Sequence, residues 1–250
     1  MRNVKKKNPP ERLKRNRKTK GLLRQPLKAG FRISLKILLA GFILSLIQVW
    51  VLKYIDPPFT GREAFMWVKG RMGMDSAQQS LYQWRPIKEI SPHLVLAVLA
   101  AEDQRFLSHR GFDFIELNLA LQDMAAGERL RGASTISMQT ARTVFLWQGR
   151  SWLRKTLEAY YTVLIELLWG KKRILEIYLN KAEWGTNIMG AEAAAKQYFR
   201  KPAAALTPEE GALIAAILPA PQRFSAVHPS DYVRERQKRI LKDMQNMKLP

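Results

Sequence analysis

Glu102 and Asp103 close an almost wholly apolar run, Leu94 to Ala101, and Phe106, His109 and Gly111 follow at short intervals. A helix that is apolar on every side is a buried helix. A carboxylate at its polar end is either a solvated terminus or a proton-transfer group whose pKa burial has raised, and this segment by itself leaves both readings open. A second chemical segment is Arg131-Gly-Ala-Ser-Thr-Ile-Ser-Met-Gln-Thr-Ala-Arg142. Gly132 and the hydroxyls of Ser134 and Thr135 give a donor-rich turn at a helix start, suited to anionic oxygens, with Gln139 and Arg142 following on the helix. An ordinary capped helix has the same residues. In a third segment Arg154 and Glu158 stand four apart, as a surface ion pair would. Arg150, Arg154 and Lys155 also form a cationic cluster beside that carboxylate, as a pyrophosphate-bearing substrate requires. The fourth segment, Lys171 to Asn180 followed by Ala182-Glu-Trp-Gly185 and Gly190, reads singly as a structural helix and turn.

Other chemistries are excluded by residue type. The chain has no cysteine and only three histidines, His93, His109 and His228, with no His-Glu-x-x-His, so neither a disulfide framework nor a protein zinc cage is expected. There is no Ser-x-x-Lys, no Gly-x-Ser-x-Gly and no phosphate loop. Acids, bases and hydroxyls remain.

The elements that must position these groups read as helices. Ser91-Pro92 is an N-cap with proline at the first helical position. Val95, Val98, Leu99, Glu102 and Phe106 then fall on one helical face, which places Glu102 on a buried stripe and favours a desolvated carboxylate. Leu153 to Trp169 and Arg173 to Asn180 read as helices separated by Gly170-Lys-Lys, and Ala191 to Phe199 as another. Thr207-Pro-Glu-Glu starts a helix that runs to Leu218 before Pro219, and Tyr232 to Met247 is a basic terminal helix. No alternating strand pattern of useful length appears, and no linker divides this part, so one mainly α-helical domain is expected.

The charge is uneven. Residues 1 to 36 carry fourteen Lys and Arg against Glu11 alone, a net of +13 out of +21. This tail runs into Ile37–Leu52, sixteen residues without a charge, which with its flanks reaches the length of about 20 residues that a bilayer crossing needs. A signal peptide is the rival, but no small-x-small cleavage site follows. The expected layout is a basic cytoplasmic tail over 1–30, a membrane helix over 31–54 and an amphipathic juxtamembrane segment over 55–90 that includes Arg62 to Met74. The positive-inside rule puts the N-terminus in the cytoplasm. Attraction to anionic lipid accounts for the tail without nucleic-acid binding.

Taken in order, the four segments are far more specific. Glu-Asp-x-x-Phe-x-x-His-x-Gly at 102–111, Gly-Ala-Ser-Thr-Ile-Ser-x-Gln at 132–139, Arg-Lys-x-x-Glu at 154–158 and Lys-x-x-Ile-Leu-Glu-x-Tyr-Leu-Asn at 171–180 resemble the motifs of the peptidoglycan glycosyltransferase family. This is glycosyltransferase family 51, the transglycosylase domain of class A penicillin-binding proteins. Leu206 to Pro221 is similar to the family's closing helix, and the likeness covers residues 75–240. With no penicillin-binding Ser-x-x-Lys domain, the chain is closest to the monofunctional branch, of the kind held in Gram-negative inner membranes.

The resemblance implies a lysozyme-like, two-lobed helical domain that polymerises lipid II into β-1,4-linked glycan and releases undecaprenyl pyrophosphate. Glu102 would be the general base. Glu158, with Arg142, Arg150, Arg154 and Lys155, would steady the leaving pyrophosphate, with Mg²⁺ or Mn²⁺ as a candidate divalent cation nearby and no required cofactor. Ser134, Thr135 and Gln139 would hold the sugar-phosphate, and Phe106 and His109 would shape the base's pocket, while Asp103 would be a supporting acid. Implied partners are lipid II, the growing glycan chain, membrane lipid and the wall-synthesis proteins of division or elongation; moenomycin sensitivity is expected too. Two positions depart from the family pattern: Met138 replaces a glutamine, and Arg142-Thr143 replaces Lys-Asn. Two rival functions are a lysozyme-like hydrolase, which has no use for the cationic motifs, and a membrane-anchored scaffold with weakened motifs.

Overall fold

The computed structural model describes residues 12–58, 81–127, 132–147, 149 and 151–250. Arg150 and most of the amphipathic segment expected at 55–90, with Arg62 to Met74, lie outside the described residues. The chain divides into two compact units, Met1–Gln48 and Val49–Pro250.

Helix α1 runs from Arg12 to Leu52. Its portion Gly30–Tyr54 is 25 residues long and apolar enough to cross a membrane. Ile37 and Leu38 expose 66% and 70% of their surface, as a lipid-facing helix does and a core helix does not.

The second unit is helical, as expected, and its helices pack in two groups. In the first, α2 (Pro92–Glu102) packs against α8 (Pro208–Ala216) and α9 (Asp231–Met244). Ser91 Oγ accepts from His93 N at 3.3 Å and donates to the Leu206 carbonyl at 2.8 Å, so the cap of α2 is also a tie to the approach of α8. Thr207 and Glu210 form a capping box. Leu94, Val98 and Leu99 of α2 are fully buried, each worth about 1.5–3 kcal/mol of transfer energy. A Cβ on Gly211 would lie 3.1 Å from the Leu94 backbone, so α8 and α2 meet at near-backbone contact.

The second group is α4 (Ile136–Phe145), α5 (Trp152–Leu168) and α6 (Lys171–Lys181). The boundary between α5 and α6 is sharper than the sequence reading gave: only Trp169 and Gly170 separate them, and Lys171 and Lys172 are already helical. Helix α3 (Phe114–Ala125) buries only Ala120 among its residues. The terminal helix ends at Met244, three residues short of the expected end.

A small sheet, unanticipated because its strands are too short for a period-2 pattern, lies beside α7 (Ala191–Phe199). Strand β3 (Ile188–Met189) is central, parallel to β1 (Leu81–Tyr82) and antiparallel to β2 (Glu183–Gly185) with a bulge. The Ala182-Glu-Trp-Gly185 run, read as a turn, is thus largely a strand, and its Trp184 is fully buried.

Glu192, in the first turn of α7, ties these parts together. It is 1% exposed and accepts from the Ala203 N–H at 2.8 Å and from Arg85 at 3.1 Å, with Lys196 also at 3.1 Å. Burial alone would raise its pKa, but these donors outweigh it and hold the carboxyl below the ordinary 4.5. A folded pKa below the unfolded one adds stability above the unfolded value and loses it as pH falls through the folded value. Glu192→Gln is therefore expected to cost about 1–3 kcal/mol at neutral pH. The deficit should vanish below the lowered pKa, as thermal unfolding across pH would register.

Candidate active site

The site is built around the end of α2. Asp103, the residue after the helix, points inward and is buried. Its carboxylate accepts from the Ile136 N–H at 3.0 Å, which fastens the start of α4 to the end of α2. It also takes His109 Nε2 at 3.0 Å. His109 Nδ1 accepts from the Gly111 N–H at 3.2 Å, so the neutral ring carries its proton on Nε2, facing Asp103. Gly111 has φ +91°, and its carbonyl accepts from the Thr135 hydroxyl at 2.6 Å. Thr135 Oγ1 in turn caps α4 by accepting from Met138 N. A Cβ at Gly111 would lie 2.8 Å from Thr162 Cγ2, so both the conformation and the space call for glycine.

This framework sets Glu102 beside α4. Gln139 Nε2 donates to Glu102 Oε2 at 2.9 Å. The Tyr178 hydroxyl of α6 lies 3.5 Å from the other end of that amide. From α9, Arg236 donates to the Ala101 carbonyl at 3.2 Å and pairs with Glu102 at 3.4 Å. Burial pushes the Glu102 carboxyl above 4.5, opposed by the Gln139 hydrogen bond and the Arg236 charge. Tyr178 is pushed well above 10.0, first by burial and then by the charge of Glu102, so it remains a hydroxyl donor.

Two cavities meet at the Glu102–Gln139 pair. One, of about 240 Å³, is lined by Glu102, Asp103, Asp113, Glu116, Arg105 and the 132–135 turn, and is rich in carboxylates. The other, of about 520 Å³, is lined by Gln139, Arg142, Thr143, Arg154, Tyr178, Lys181 and Glu183, among others, and is rich in cations. Glu158 sits behind this second cavity with no exposed surface and lines neither. One of its oxygens takes Arg154 Nη1 at 2.7 Å and the other Lys155 Nζ at 2.5 Å. The pair read as a possible surface bridge is a buried one. Arg154 is itself nearly buried, and its Nε has no acceptor among the described residues.

The sequence-selected residues therefore divide. Glu102, Gln139, Arg142 and Arg154 line the two cavities, as do Ser134 and Thr135. Glu158 and Lys155 stand behind Arg154 or at its side. Phe106 and His109 line neither cavity; both are buried beneath the site, with Lys171 Nζ 4.4 Å from the Phe106 ring centre. Phe106 does not continue the face of α2, because the helix stops at Glu102 and the chain turns back into the core. Sequence reading missed Arg236, and no signal in an exposed basic helix marks one arginine among its neighbours.

Asp103, His109 and Asp113 come close enough together to share a cation, but each already has protein partners. Glu158 likewise has each oxygen paired with a cation.

Because the folded state holds the Glu102 proton more tightly than the unfolded chain, its carboxyl favours folding at low pH. That contribution is lost as pH rises from 4.5 through the raised value. Glu102→Gln is thus expected to gain in melting temperature over wild type as pH rises through that window. Arg236→Gln removes a charge that lowers the Glu102 pKa, so the midpoint should move further up. Carboxyl-carbon NMR titration reads both, and an unmoved midpoint would separate Arg236 from Glu102.

Residues 70–245 match the family model described as Transglycosylase. The chain is 50% identical over 221 residues to a biosynthetic peptidoglycan transglycosylase of Xanthomonas campestris pv. campestris (strain B100), covering 85% of this chain and 87% of that protein. It is 47% identical over 219 residues to one of Caulobacter vibrioides, covering 88% and 90%. To one of Shewanella oneidensis it is 44% identical over 223 residues, covering 88% and 94%. The ordered motifs, the helical unit that carries them and these matches lead to one conclusion: the chain belongs to the peptidoglycan transglycosylase family.

Proposed function

We propose that this transglycosylase polymerises lipid II, transferring the growing glycan chain to the 4-hydroxyl of an incoming disaccharide with inversion at C1. The observation that carries the reading is the position of Glu102: a partly buried carboxylate with a raised pKa where a cation-lined and a carboxylate-lined cavity adjoin. A base needs a pKa nearer the working pH than an ordinary glutamate has, and burial supplies it.

Glu102 accepts the proton of the acceptor's 4-hydroxyl as that oxygen bonds to C1 of the donor. The bond from C1 to the pyrophosphate oxygen breaks, and the lipid pyrophosphate leaves with the electron pair. Its charge is met in the larger cavity by Arg142 and Arg154, which line it. Glu158 acts behind them, holding Arg154 and Lys155 in place. Gln139 orients the base through its amide, and Tyr178 stands at the far end of that amide. The carboxylate-lined cavity suits the hydroxyl-rich acceptor, since carboxylates accept from sugar hydroxyls. Arg142, in place of a lysine, keeps the positive charge.

The apolar helix that can cross a membrane supports a single-pass anchor, with the basic tail in the cytoplasm and the catalytic unit outside the inner membrane. Both substrates carry their lipid in that membrane, so the anchor holds enzyme and substrate together.

In a purified assay with labelled lipid II, Glu102→Gln is expected to lose about 10²–10⁴-fold in rate while retaining the fold. Wild type should show an acidic limb above 4.5, since the base acts only when deprotonated. Near-normal glycan chains from the variant would remove Glu102 from the role, and muropeptides released from isolated wall would favour a hydrolase. With the pyrophosphate charge met by Arg142 and Arg154 in this reading, chelation is expected to leave the rate unchanged. A rate abolished by chelator and restored by Mg²⁺ would place an essential cation on the pyrophosphate.

A further inference from the structure

Helix α6 opens on three successive cations, Lys171, Lys172 and Arg173, with no acid in its first turn. Cations at a helix N-terminus oppose the helix dipole, each by about 0.3–1 kcal/mol. Sequences break such local rules where a particular contact requires it. Lys171 is answered by Glu166 at 2.6 Å. Arg173 pairs with Glu176 on its own helix and also reaches the residues where α1 ends, which belong to the same compact unit as α6. Its Nε and Nη2 donate to the Leu52 carbonyl at 3.3 and 3.0 Å. Nη2 also donates to the Ile55 carbonyl at 2.9 Å, and Nη1 pairs with Asp56 at 2.9 Å.

The last four carbonyls of a helix have no partner within it. At the end of α1, Lys53 N donates to Trp50 O at 3.3 Å, and Tyr54 N and Ile55 N donate to Val51 O at 3.1 and 3.0 Å. That leaves Val49 O and Leu52 O. Trp169 Nε1 donates to the first at 2.8 Å, and Arg173 to the second. Val49, Leu52 and Trp169 are all buried. A guanidinium at a helix C-terminus is also the favourable sense of the dipole interaction that it violates at its own helix.

The same two residues adjoin the helices that back the site. The Trp169 ring lies 6.0 Å from Phe145, the last residue of α4, on which Gln139 and Arg142 stand. Helix α6 carries Arg173 at one end and Tyr178 in its middle, and Arg173 lines neither cavity.

We propose that Arg173 and Trp169 form a clasp that fixes the exit turn of the apolar helix onto the catalytic unit, so that Glu102 is presented to substrate carried in the same membrane. The inference rests on the lipid-linked substrate proposed above. Arg173 and Trp169 are positioning residues: they touch no reacting group. A loose exit would leave the unit free to tumble, and each encounter with a membrane-held substrate would include an orientational search. A fixed exit removes part of that entropic cost.

The test uses the full-length protein in vesicles of phosphatidylethanolamine and phosphatidylglycerol, with three variants: Arg173→Gln, Asp56→Asn, and Trp169→Phe, which keeps an aromatic ring and deletes the donor. Polymerisation is followed on long-chain lipid II embedded in the vesicles and on a short-chain, water-soluble lipid II. Hydrogen exchange is read over residues 49–57. Exchange at the exit turn of Arg173→Gln and Trp169→Phe should quicken roughly three- to tenfold, the loss of one or two hydrogen bonds. Their rate on embedded substrate should fall by a similar factor, with the soluble substrate turned over as by wild type, and Asp56→Asn should follow in weaker form. Unchanged exchange, or rates that fall equally on both substrates, would overturn the clasp. If wild type polymerises neither substrate, the proposed function fails instead, and the exchange measurement alone decides whether the exit is fastened.

Discussion

The geometry of the site depends on one buried carboxylate beside Glu102. Asp103 ends α2 and receives the first N–H of α4 and the imidazole of His109. An unpaired carboxylate in that position would be costly, so the two donors must arrive together with the fold. Once they do, the neighbouring residue, Glu102, has its direction set, and Gln139, one turn into α4, comes within hydrogen-bond reach. The Gly111–Thr135 contact closes the same loop from the other side. Adjacent acids thus have opposite tasks: one is satisfied by backbone and imidazole, the other is left partly desolvated.

A similar division separates Glu158 from the cations in front of it. A fully buried glutamate with two cationic partners leaves a local charge of +1, and one of those partners, Arg154, lines the larger cavity. The arginine is held in its orientation by the glutamate. Preorganised donors of this kind stabilise charge that develops on a leaving group without having to reorganise during the reaction.

Much of this was legible in the sequence. The apolar run before Glu102, the Ser91-Pro92 and Thr207-Pro-Glu-Glu starts and the spacing of Arg154 and Glu158 are local signals, and local hydrogen bonds and helix faces follow them. The remainder depends on contacts between distant segments. Periodicity extended the face of α2 to Phe106, but the turn at Asp103 returns that ring to the core by another route. Arg236 meets Glu102 only because α9 packs against α2, and one arginine among several on a basic helix carries no mark of it. Burial distinguishes the Arg154–Glu158 pair from a surface bridge, and burial is a property of the assembled helices. The strands are two or three residues long, below the length at which alternation can be read.

Gly211 carries a consequence of a different kind. Its missing side chain lets α8 press against the backbone of α2 at Leu94 and His93, while α9 holds the other end of that helix through Arg236. Glu102 therefore stands on a helix that is held closely near both of its ends. Helix α3, with Ala120 alone buried and Phe114, Ile115, Leu121 and Met124 turned outward, is lightly held by comparison. Its Glu116 lines the smaller cavity, so one wall of that cavity stands on a helix that buries little, beside a Glu102 whose own helix is packed on both sides.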